Sequence, residues 1–501
     1  MDFLDPIKKR KHIRQLFIGY ALMAVLIGLG TTILVLLSYG FSFDRTTGSV
    51  IQNGLVFIDT NPIAANVYVN GELRGRGDQR LVLPEGDYDL EIREDGYRSW
   101  TRSLNLRGGR VERFSYPFLF AQDLEKSTYR TFASQPRLMT TSPDRGWLLV
   151  QESQQIDAFV LYDLSQGVNL PAFFTLPPGI MTTSEPGSSL ELVEWSNDNR
   201  HVVLKHMYDD GEEFILLDRD TPNVSQNLTS RFSDISFTTI SLIDKQFDSY
   251  HLHDVVSGRL WSAELATDTS EVLLEDVLTY RSHGSDTILY VENTAPIQDN
   301  SGQSQAVRVR VLQGDQEYGI GSIPRRDGQD SYLLDIARYD GDWYMVIGST
   351  SEKKISVYKN PVDTIRADPT KQLIPEVTLR SEVEPSKVSF SSNARNIMMQ
   401  AEDEFSIYDL EQKERYLYAF GNQSNAQAFW LDGHRITVVA DDMLRVIDFD
   451  GHNEQELVPC RASFRPLVDN GYEYLYCIAP SVNDDQYGTL QRTSLRYNKE
   501  D

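Results

Sequence analysis

The segment Ser142-Pro143-Asp144-Arg145-Gly146-Trp147-Leu148-Leu149-Val150 contains the pattern on which the fold of most of this chain depends. A turn of small and polar residues leads into an apolar strand. A polar gap follows, and then a second apolar strand at Phe159–Leu164. Gly, Pro and Asp favour tight turns, whereas aromatic and β-branched residues favour strands. The segment therefore predicts two neighbouring strands of an antiparallel sheet.

The same pattern recurs along the chain. Clear copies begin at Trp195, Phe390 and Trp430, and weaker copies begin near Ile235, Val277, Ile336 and Ala462. The starts lie about 40–60 residues apart, which is the spacing of four-stranded propeller blades. A single blade cannot bury both of its faces, so blades stack around an axis. Eight candidate units predict a seven- or eight-bladed β-propeller over residues 121–501, and two stacked β-sandwiches are the alternative that the uneven spacing allows.

A second β-rich region covers residues 53–120. Short strand-like runs alternate there with turns, and Asn70-Gly71 is the strongest of the hairpin signals. The run Tyr88–Arg93 alternates apolar and charged residues, as a half-buried strand does. Strands at this close spacing predict a small β-sandwich.

Two runs in this region, GLVFIDTNPIAANVYVNGELRG and LPEGDYDLEIREDGY, resemble the PEGA domain family. The family's hallmark corresponds to Pro84-Glu85-Gly86, and a trailing Gly-Tyr pair corresponds to Gly96-Tyr97. The resemblance implies a surface-exposed β-sandwich fused to other extracytoplasmic modules, without a catalytic residue. The Ser-Pro-Asp-x-Gly turn at residue 142 similarly resembles the WD40-like blades of TolB-type propellers.

The motif residues of the small region have structural roles when they are interpreted from their chemistry alone. Gly86 and Gly96 are expected to adopt the left-handed backbone conformation that glycine tolerates. Pro84 fixes a turn, and Tyr88 and Tyr97 are expected to pack against the core. We therefore predict that these residues stabilise the sandwich and do not form a ligand site.

The N-terminal region contains an apolar run at residues 16–39, preceded by five Lys and Arg residues in the first 14 positions. About 20 helical residues cross a bilayer core, and signal peptides usually have shorter apolar regions, so the run predicts a transmembrane helix with a cleaved signal peptide as the alternative. Positive charge stays on the cytoplasmic side. We expect a cytoplasmic stub at 1–15, a linker at 40–52 and an extracytoplasmic body.

Composition limits the functions that remain. The chain has 73 acidic and 48 basic residues and a net charge of −25. Nucleic-acid binding requires Lys and Arg to displace phosphate counterions, so a nucleic-acid partner is excluded. The chain has only two cysteines, Cys460 and Cys477. In an exported domain they could form one disulfide, and two buried free thiols are the alternative.

The sequence contains no catalytic motif, and we predict no enzymatic activity and no cofactor. His251 and His253 share one face of a strand, but a metal site usually has three or four ligands, so a core or surface role is favoured. The acidic segments 209–213 and 483–485 could bind Ca²⁺, although solvated hairpin tips are favoured. We assign the aspartates Asp144 and Asp432 to turn formation. Core packing is the role assigned to the tryptophans Trp147, Trp195, Trp343 and Trp430.

These observations predict a mainly β protein of the cell membrane, anchored in the lipid bilayer by one helix. The propeller would recognise an envelope protein or a cell-wall glycan. A glycan hydrolase or lyase is the alternative, and it would need two carboxylates about 5–10 Å apart across the propeller channel. A purely structural envelope component is a further alternative.

Overall fold

The structure is a computed structural model that describes residues 6–38, 40–43, 50–152, 155–165, 170–182, 188–209, 211–293, 306–324, 331–419, 428–481 and 487–497. The chain divides into two compact units. The small unit comprises Met1–Asp123 and Tyr497–Asp501, and the large unit comprises Leu124–Arg496.

The first helix, α1, spans Pro6–Ser38. Its segment Ile13–Ser38 has a mean hydropathy of 2.4 and no buried residues, so the helix is long and apolar enough to cross a membrane. A signal sequence near an N-terminus has the same properties. The helix begins before the predicted residue 16 because the basic residues ahead of the apolar run are themselves good helix formers.

The small unit also contains eight strands: β1 (Phe41–Phe43), β2 (Val50–Ile58), β3 (Asn66–Val69), β4 (Glu72–Arg76), β5 (Gln79–Pro84), β6 (Gly86–Arg93), β7 (Trp100–Leu106) and β8 (Val111–Phe114). They form two four-stranded sheets. One has the order β1-β2-β5 with β8 parallel to β2, and the other has the order β4-β3-β6-β7. Trp100 is buried in the core, edge-on to Phe114 and Tyr116. The predicted small sandwich is confirmed.

The large unit is built from the remaining strands: β9 (Lys126–Phe132), β10 (Leu138–Thr141), β11 (Trp147–Gln151), β12 (Ala158–Asp163), β13 (Ala172–Thr175), β14 (Ser189–Trp195), β15 (His201–Tyr208), β16 (Gly211–Asp218), β17 (Gln226–Asn227), β18 (Thr239–Leu242), β19 (Ser249–Asp254), β20 (Arg259–Glu264), β21 (Thr269–Leu274), β22 (Val277–His283), β23 (Thr287–Glu292), β24 (Ala306–Gln313), β25 (Gln316–Pro324), β26 (Tyr332–Tyr339), β27 (Asp342–Ser349), β28 (Lys354–Lys359), β29 (Val377–Arg380), β30 (Lys387–Phe390), β31 (Asn396–Ala401), β32 (Glu404–Asp409), β33 (Glu414–Ala419), β34 (Ala428–Trp430), β35 (Arg435–Ala440), β36 (Met443–Asp448), β37 (Gln455–Pro459), β38 (Leu467–Val468), β39 (Tyr474–Pro480) and β40 (Gly488–Ser494). Two short helices, α2 (Leu228–Arg231) and α3 (Pro361–Ala367), interrupt the series.

In the described residues these strands form eight antiparallel four-stranded sheets, which are the blades of a β-propeller. Blades 1 to 7 each use four consecutive strands, from β10–β13 in blade 1 to β34–β37 in blade 7. Blade 8 has the order β38-β39-β40-β9, so the first strand of the unit completes the last blade. The predicted propeller is confirmed with eight blades, and this ring closure excludes two stacked sandwiches.

The recurring turn between the first and second strands of a blade explains why the pattern repeats in the sequence. In blade 1, Oδ1 of Asp144 accepts a hydrogen bond of 3.0 Å from the Gly146 N–H. Asn393 makes the same contact to the Arg395 N–H in blade 6, at 3.1 Å. These are Asx-type turns, in which the side chain satisfies a turn N–H. Asp144 therefore has the turn-forming role that its sequence context indicates.

The apolar core of the large unit lies between blades. One cluster joins blades 1 and 2, with Leu149 and Phe159 packed against Val202 and Ile215. Similar clusters join blades 2 and 3, 3 and 4, 4 and 5, and 5 and 6. A further cluster joins blade 8 to blade 1. Burial of apolar surface between blades, at about 25 cal/mol per Å², therefore holds the ring together.

Candidate functional site

The first strand of each blade lies next to the first strands of its neighbours, as the contacts of β10 with β14, β14 with β18, and β26 with β30 show. This arrangement places the first strands on the inside of the ring, around the central channel. We call the polar side chains that link these inner strands the polar belt; its members are Thr140, Glu194, Ser241, Asp335 and Ser389.

Each member of the polar belt is hydrogen-bonded to the next blade along the chain. The Trp195 indole N–H donates to the Thr140 hydroxyl at 3.0 Å, and the Trp430 indole N–H donates to the Ser389 hydroxyl at 3.2 Å. The hydroxyls of Ser241 and Tyr280 lie 2.8 Å apart. The belt therefore holds neighbouring inner strands in register by directional bonds, in addition to apolar packing.

Two members of the polar belt are carboxylates that accept backbone hydrogen bonds. Glu194 accepts from the Leu242 N–H at 3.1 Å, and Asp335 accepts from the Phe390 N–H at 2.9 Å. Burial raises the pKa of both carboxyl groups, more than these hydrogen bonds lower it. Arg281 is close enough to Asp335 to lower its pKa in part.

Glu194 also faces a groove of the propeller, a cavity of about 680 Å³ between blades 2, 3 and 4. Its walls are the inner strands β14, β18 and β22 and the turns that follow them. The lining includes charges of both signs, at Glu194, Asp244, Lys245 and Arg281. This size is typical of ligand pockets, and clefts with perturbed titratable groups are the usual candidates for functional sites.

His253 lines the groove, whereas His251 lies behind it in the core. Both rings contact Tyr280 edge-on, with centroid distances of 5.8 Å for His251 and 5.6 Å for His253. Burial lowers the pKa of His251 to about 4 and also lowers the pKa of His253. The part of the chain that the structure describes has no group of three His, Cys, Asp or Glu residues arranged to hold a metal ion. The two imidazoles pack against Tyr280, between blades 3 and 4.

The tryptophans near the blade starts are also packed against the protein. Trp195 and Trp430 are buried in the polar belt. The Arg219 guanidinium lies 4.0 Å from the Trp147 ring centroid, and His283 contacts the Trp343 ring edge-on. These contacts agree with the expected packing role and leave no exposed aromatic platform among the four.

The predicted motif residues of the small unit are engaged in its turns. The Tyr88 hydroxyl donates to the Pro84 carbonyl at 2.9 Å, and the Glu85 carboxylate accepts from the Gly108 N–H at 3.1 Å. Gly96 has a φ of +82°, as expected, and a Cβ there would collide with the ring of Tyr497.

Two further predictions for these motif residues have different outcomes. The left-handed conformation predicted for Gly86 is wrong, because the residue begins strand β6 with an extended backbone. Tyr97 packs edge-on against Tyr497, and its hydroxyl accepts a hydrogen bond of 3.2 Å from the Tyr497 N–H. Tyr97 thus has the packing role that its chemistry indicates.

The remaining predicted residues fall into three cases. Asp432 forms the turn of blade 7 by accepting from the His434 N–H at 2.7 Å. Glu213, in the acidic segment 209–213, is turned inward, where it accepts from Thr182, Asn227 and His206. The segment 483–485 and Asp210 lie outside the described residues.

Cys460 and Cys477 are both buried and both carry free thiols. A hydrogen bond between the two thiols, together with burial, raises the pKa of Cys460. Each thiol also contacts a backbone carbonyl at 3.7 Å. The two side chains are therefore neighbours, and the disulfide between them stays a prediction.

The sequence reasoning did not identify the carboxylates of the polar belt. Glu194 and Asp335 lie in the inner strands β14 and β26, and Arg281 lies in the inner strand β22. A polar residue at the end of an apolar run that begins a blade was the available signal. This signal can be interpreted only when the closed ring of blades shows that these positions face the channel.

The comparisons with known proteins agree with this architecture. The sequence profile of the PEGA domain matches residues 53–119. No curated protein matches the sequence. Structures of low similarity include the Dos1 propeller, at 10% identity and a TM-score of 0.44, with coverage of 74% of this chain and 95% of that chain.

Two of the other similar structures are enzymes by name. Dipeptidyl peptidase 4 of Porphyromonas gingivalis has 11% identity and a TM-score of 0.45, with coverage of 70% of this chain and 57% of that chain. An oligogalacturonate lyase in complex with manganese has 9% identity and a TM-score of 0.39, with coverage of 74% and 98%. The eight sheets, closed into a ring, define the fold of the large unit, and the chain contains a PEGA domain at residues 53–119 followed by an eight-bladed β-propeller.

Proposed function

We propose that this chain is a membrane-anchored, extracytoplasmic binding protein of the cell envelope, and that the groove between blades 2 and 4 contacts an envelope protein or a glycan. Helix α1 would tether the two folded units to the membrane, with the N-terminus in the cytoplasm. The apolar segment Ile13–Ser38 and the basic residues before it support the tether and its direction.

The observation that carries the binding role is the composition of the groove. Its lining combines opposite charges at Glu194 and Arg281 with hydroxyls at Ser241 and Tyr280. Such a mixed polar surface can donate and accept hydrogen bonds to a polar partner. The Glu194 carboxylate is already occupied by the Leu242 N–H, which favours a positioning and binding role over acid–base chemistry.

The test uses the full-length protein in detergent micelles, presented to envelope extracts and to glycan arrays. Arg281→Ala removes an exposed cation from the groove, and its only hydrogen bond in the described structure goes to the Tyr280 carbonyl. Arg259→Ala removes an exposed arginine from the outer part of blade 3 and is the matched control. We expect the groove variant to lose a partner that the control retains. Equal retention by both variants would reject the groove as the contact surface.

A glycan hydrolase or lyase is the second candidate, and the raised pKa of Glu194, in a groove that Arg281 also lines, is the observation in its favour. Incubation with the glycans that the protein retains would distinguish the two functions. Products that form with the native protein but not with Glu194→Gln would support the enzyme, whereas binding without products would support the binding protein.

A further inference from the structure

Three cations from three blades converge on the inner edge of blade 7. The ammonium group of Lys387, from blade 6, donates to the Ala428 carbonyl at 3.2 Å. The Arg465 guanidinium, next to the inner strand of blade 8, donates to the Trp430 carbonyl. The Arg145 guanidinium, from the first turn of blade 1, donates to the carbonyl of the following residue, Leu431, at 2.9 Å.

Aromatic rings hold these cations close together. Lys387 lies 4.4 Å and Arg465 lies 5.3 Å from the centroid of the Phe429 ring, so the two charges are within about 10 Å of each other, where they repel. Arg145 lies 4.9 Å from the centroid of the Tyr472 ring. Burial, and then repulsion by the neighbouring Arg465, lowers the pKa of Lys387.

No carboxylate neutralises this group within the part of the chain that the structure describes. The contrast with other arginines in the same blades is clear. Arg395 is paired with Asp409 and Glu411, and Arg435 is paired with Asp432. Three adjacent unpaired cations are unfavourable in isolation, and they are exceptional in a chain of net charge −25.

The cations keep donors for a further partner. Lysine has three N–H donors and arginine has five, and each of these side chains uses only one in a hydrogen bond of the described structure. Arg465 is exposed, and Lys387 and Arg145 are half-buried. The remaining donors are the groups that bind carboxylate and phosphate most strongly, by charge-assisted hydrogen bonds.

We propose that Lys387, Arg465 and Arg145 form an oxyanion site, which binds the carboxylate or phosphate group of a ligand at the channel side of blade 7. In a ring of eight blades this position is opposite blade 3 and is separate from the groove proposed above. The bound oxyanion supplies the negative charge that the blades themselves do not provide.

The test is calorimetric titration of the full-length protein in a zwitterionic detergent at low ionic strength. Sodium phosphate and sodium glucuronate are titrated separately, so the two arms distinguish a phosphate from a carboxylate ligand. We expect saturable binding of at least one anion, weakened by added NaCl. Arg465→Gln and Lys387→Gln should each weaken it about tenfold or more.

Arg461→Gln is the matched control. Arg461 also donates to a carbonyl, that of Tyr487 at 2.8 Å, and also lies over an aromatic ring, but it is not part of the three-cation group. This variant should bind the anion as the native protein does. Arg145→Gln is a second test if Lys387→Gln alters thermal unfolding. The proposal is overturned if neither anion binds saturably up to on the order of 10 mM, or if Arg465→Gln binds as tightly as Arg461→Gln.

Discussion

Glu194 of blade 2 and Leu242 of blade 3 are joined by a hydrogen bond from a backbone N–H to a carboxylate whose pKa is raised. The bond connects two blades, yet the charge that strengthens it is costly to bury. A side chain of the same shape without the charge would keep the bond and remove the cost.

Glu194→Gln should therefore stabilise the propeller at neutral pH. The amide oxygen can still accept from Leu242, while the folded state no longer holds a carboxylate whose pKa lies above its unfolded value. Because such a carboxylate destabilises the fold increasingly as pH rises above its unfolded pKa of about 4.5, the gain should shrink at pH 4. Thermal unfolding at both pH values measures this. Glu191→Gln changes an exposed residue of the same strand and should leave the midpoint nearly unchanged.

Trp195→Phe should destabilise the interface of blades 1 and 2 by about 1–2 kcal/mol, because the buried Thr140 hydroxyl loses its indole donor. Thr140→Val removes the other partner of the same bond. Urea unfolding of both single variants and the double variant gives the coupling free energy, expected at about 0.5–1.5 kcal/mol. If the losses of stability in the two single variants add up to the loss in the double variant, the hydrogen bond between Trp195 and Thr140 is contradicted.

His251 should make the propeller sensitive to acid. Burial lowers its pKa from 6.5 to about 4, so the unfolded chain takes up a proton in this range before the folded one does. Stability is therefore lost as the pH falls from 6.5 towards 4, by up to about 3 kcal/mol for this group. His251→Phe should reduce that loss, as measured by urea unfolding at pH 7 and pH 4.5. If the free energy of unfolding falls equally in the native protein and in His251→Phe between pH 7 and pH 4.5, His251 is excluded as the cause of the acid sensitivity.

Arg395 and Arg200 form the same two-pronged pair with the aspartate that ends the third strand of their blades, but at different depths. The Arg395 side chain is 7% exposed and pairs with Asp409, whereas the Arg200 side chain is 40% exposed and pairs with Asp218. Arg395→Ala should cost about 3–5 kcal/mol, since it strands a buried carboxylate. Arg200→Ala should cost less, although Asp218 is itself only 2% exposed, because the Arg200 guanidinium is at the surface and water can take its place. Equal free energies of unfolding for the two variants would show that burial of the arginine does not determine how much stability its removal costs.

The proposed topology predicts which part of the chain a protease can reach. Protease added to spheroplasts should cleave within the region after residue 41 and leave the N-terminal stub intact. Antibodies to a tag at each end of the protein would report the products. Full protection of the C-terminal tag would contradict an extracytoplasmic body, and release of the folded units into the medium without protease would point to a cleaved signal peptide.

The repeated turn made the propeller predictable from the sequence, because residues such as Asp144 and Asn393 form each turn through local hydrogen bonds. Strand β9 was not assigned, because it lacks that turn and pairs with a strand about 365 positions away, as Ser127 and Arg492 do. Gly86 was assigned a conformation from its residue type alone, but the sheet holds it extended.

The polar belt and the three-cation group could not be predicted for a related reason. Glu194, Asp335 and Lys387 lie in three different strands, far apart in sequence. Nothing local indicates that their side chains face a common channel. Only the order and closure of the blades bring them to one surface.

The joining of β9 to β40 has a consequence for the synthesis of this protein. Residues 126–132 are synthesised about 365 positions before the strand that pairs with them, Gly488–Ser494. Long-range pairing of this kind is slow, and unpaired strand edges attract other chains while they wait. A ribosome-bound chain would thus expose two open edges until β40 has been translated, and a delay before that strand is made should lead to aggregation or degradation of the nascent chain.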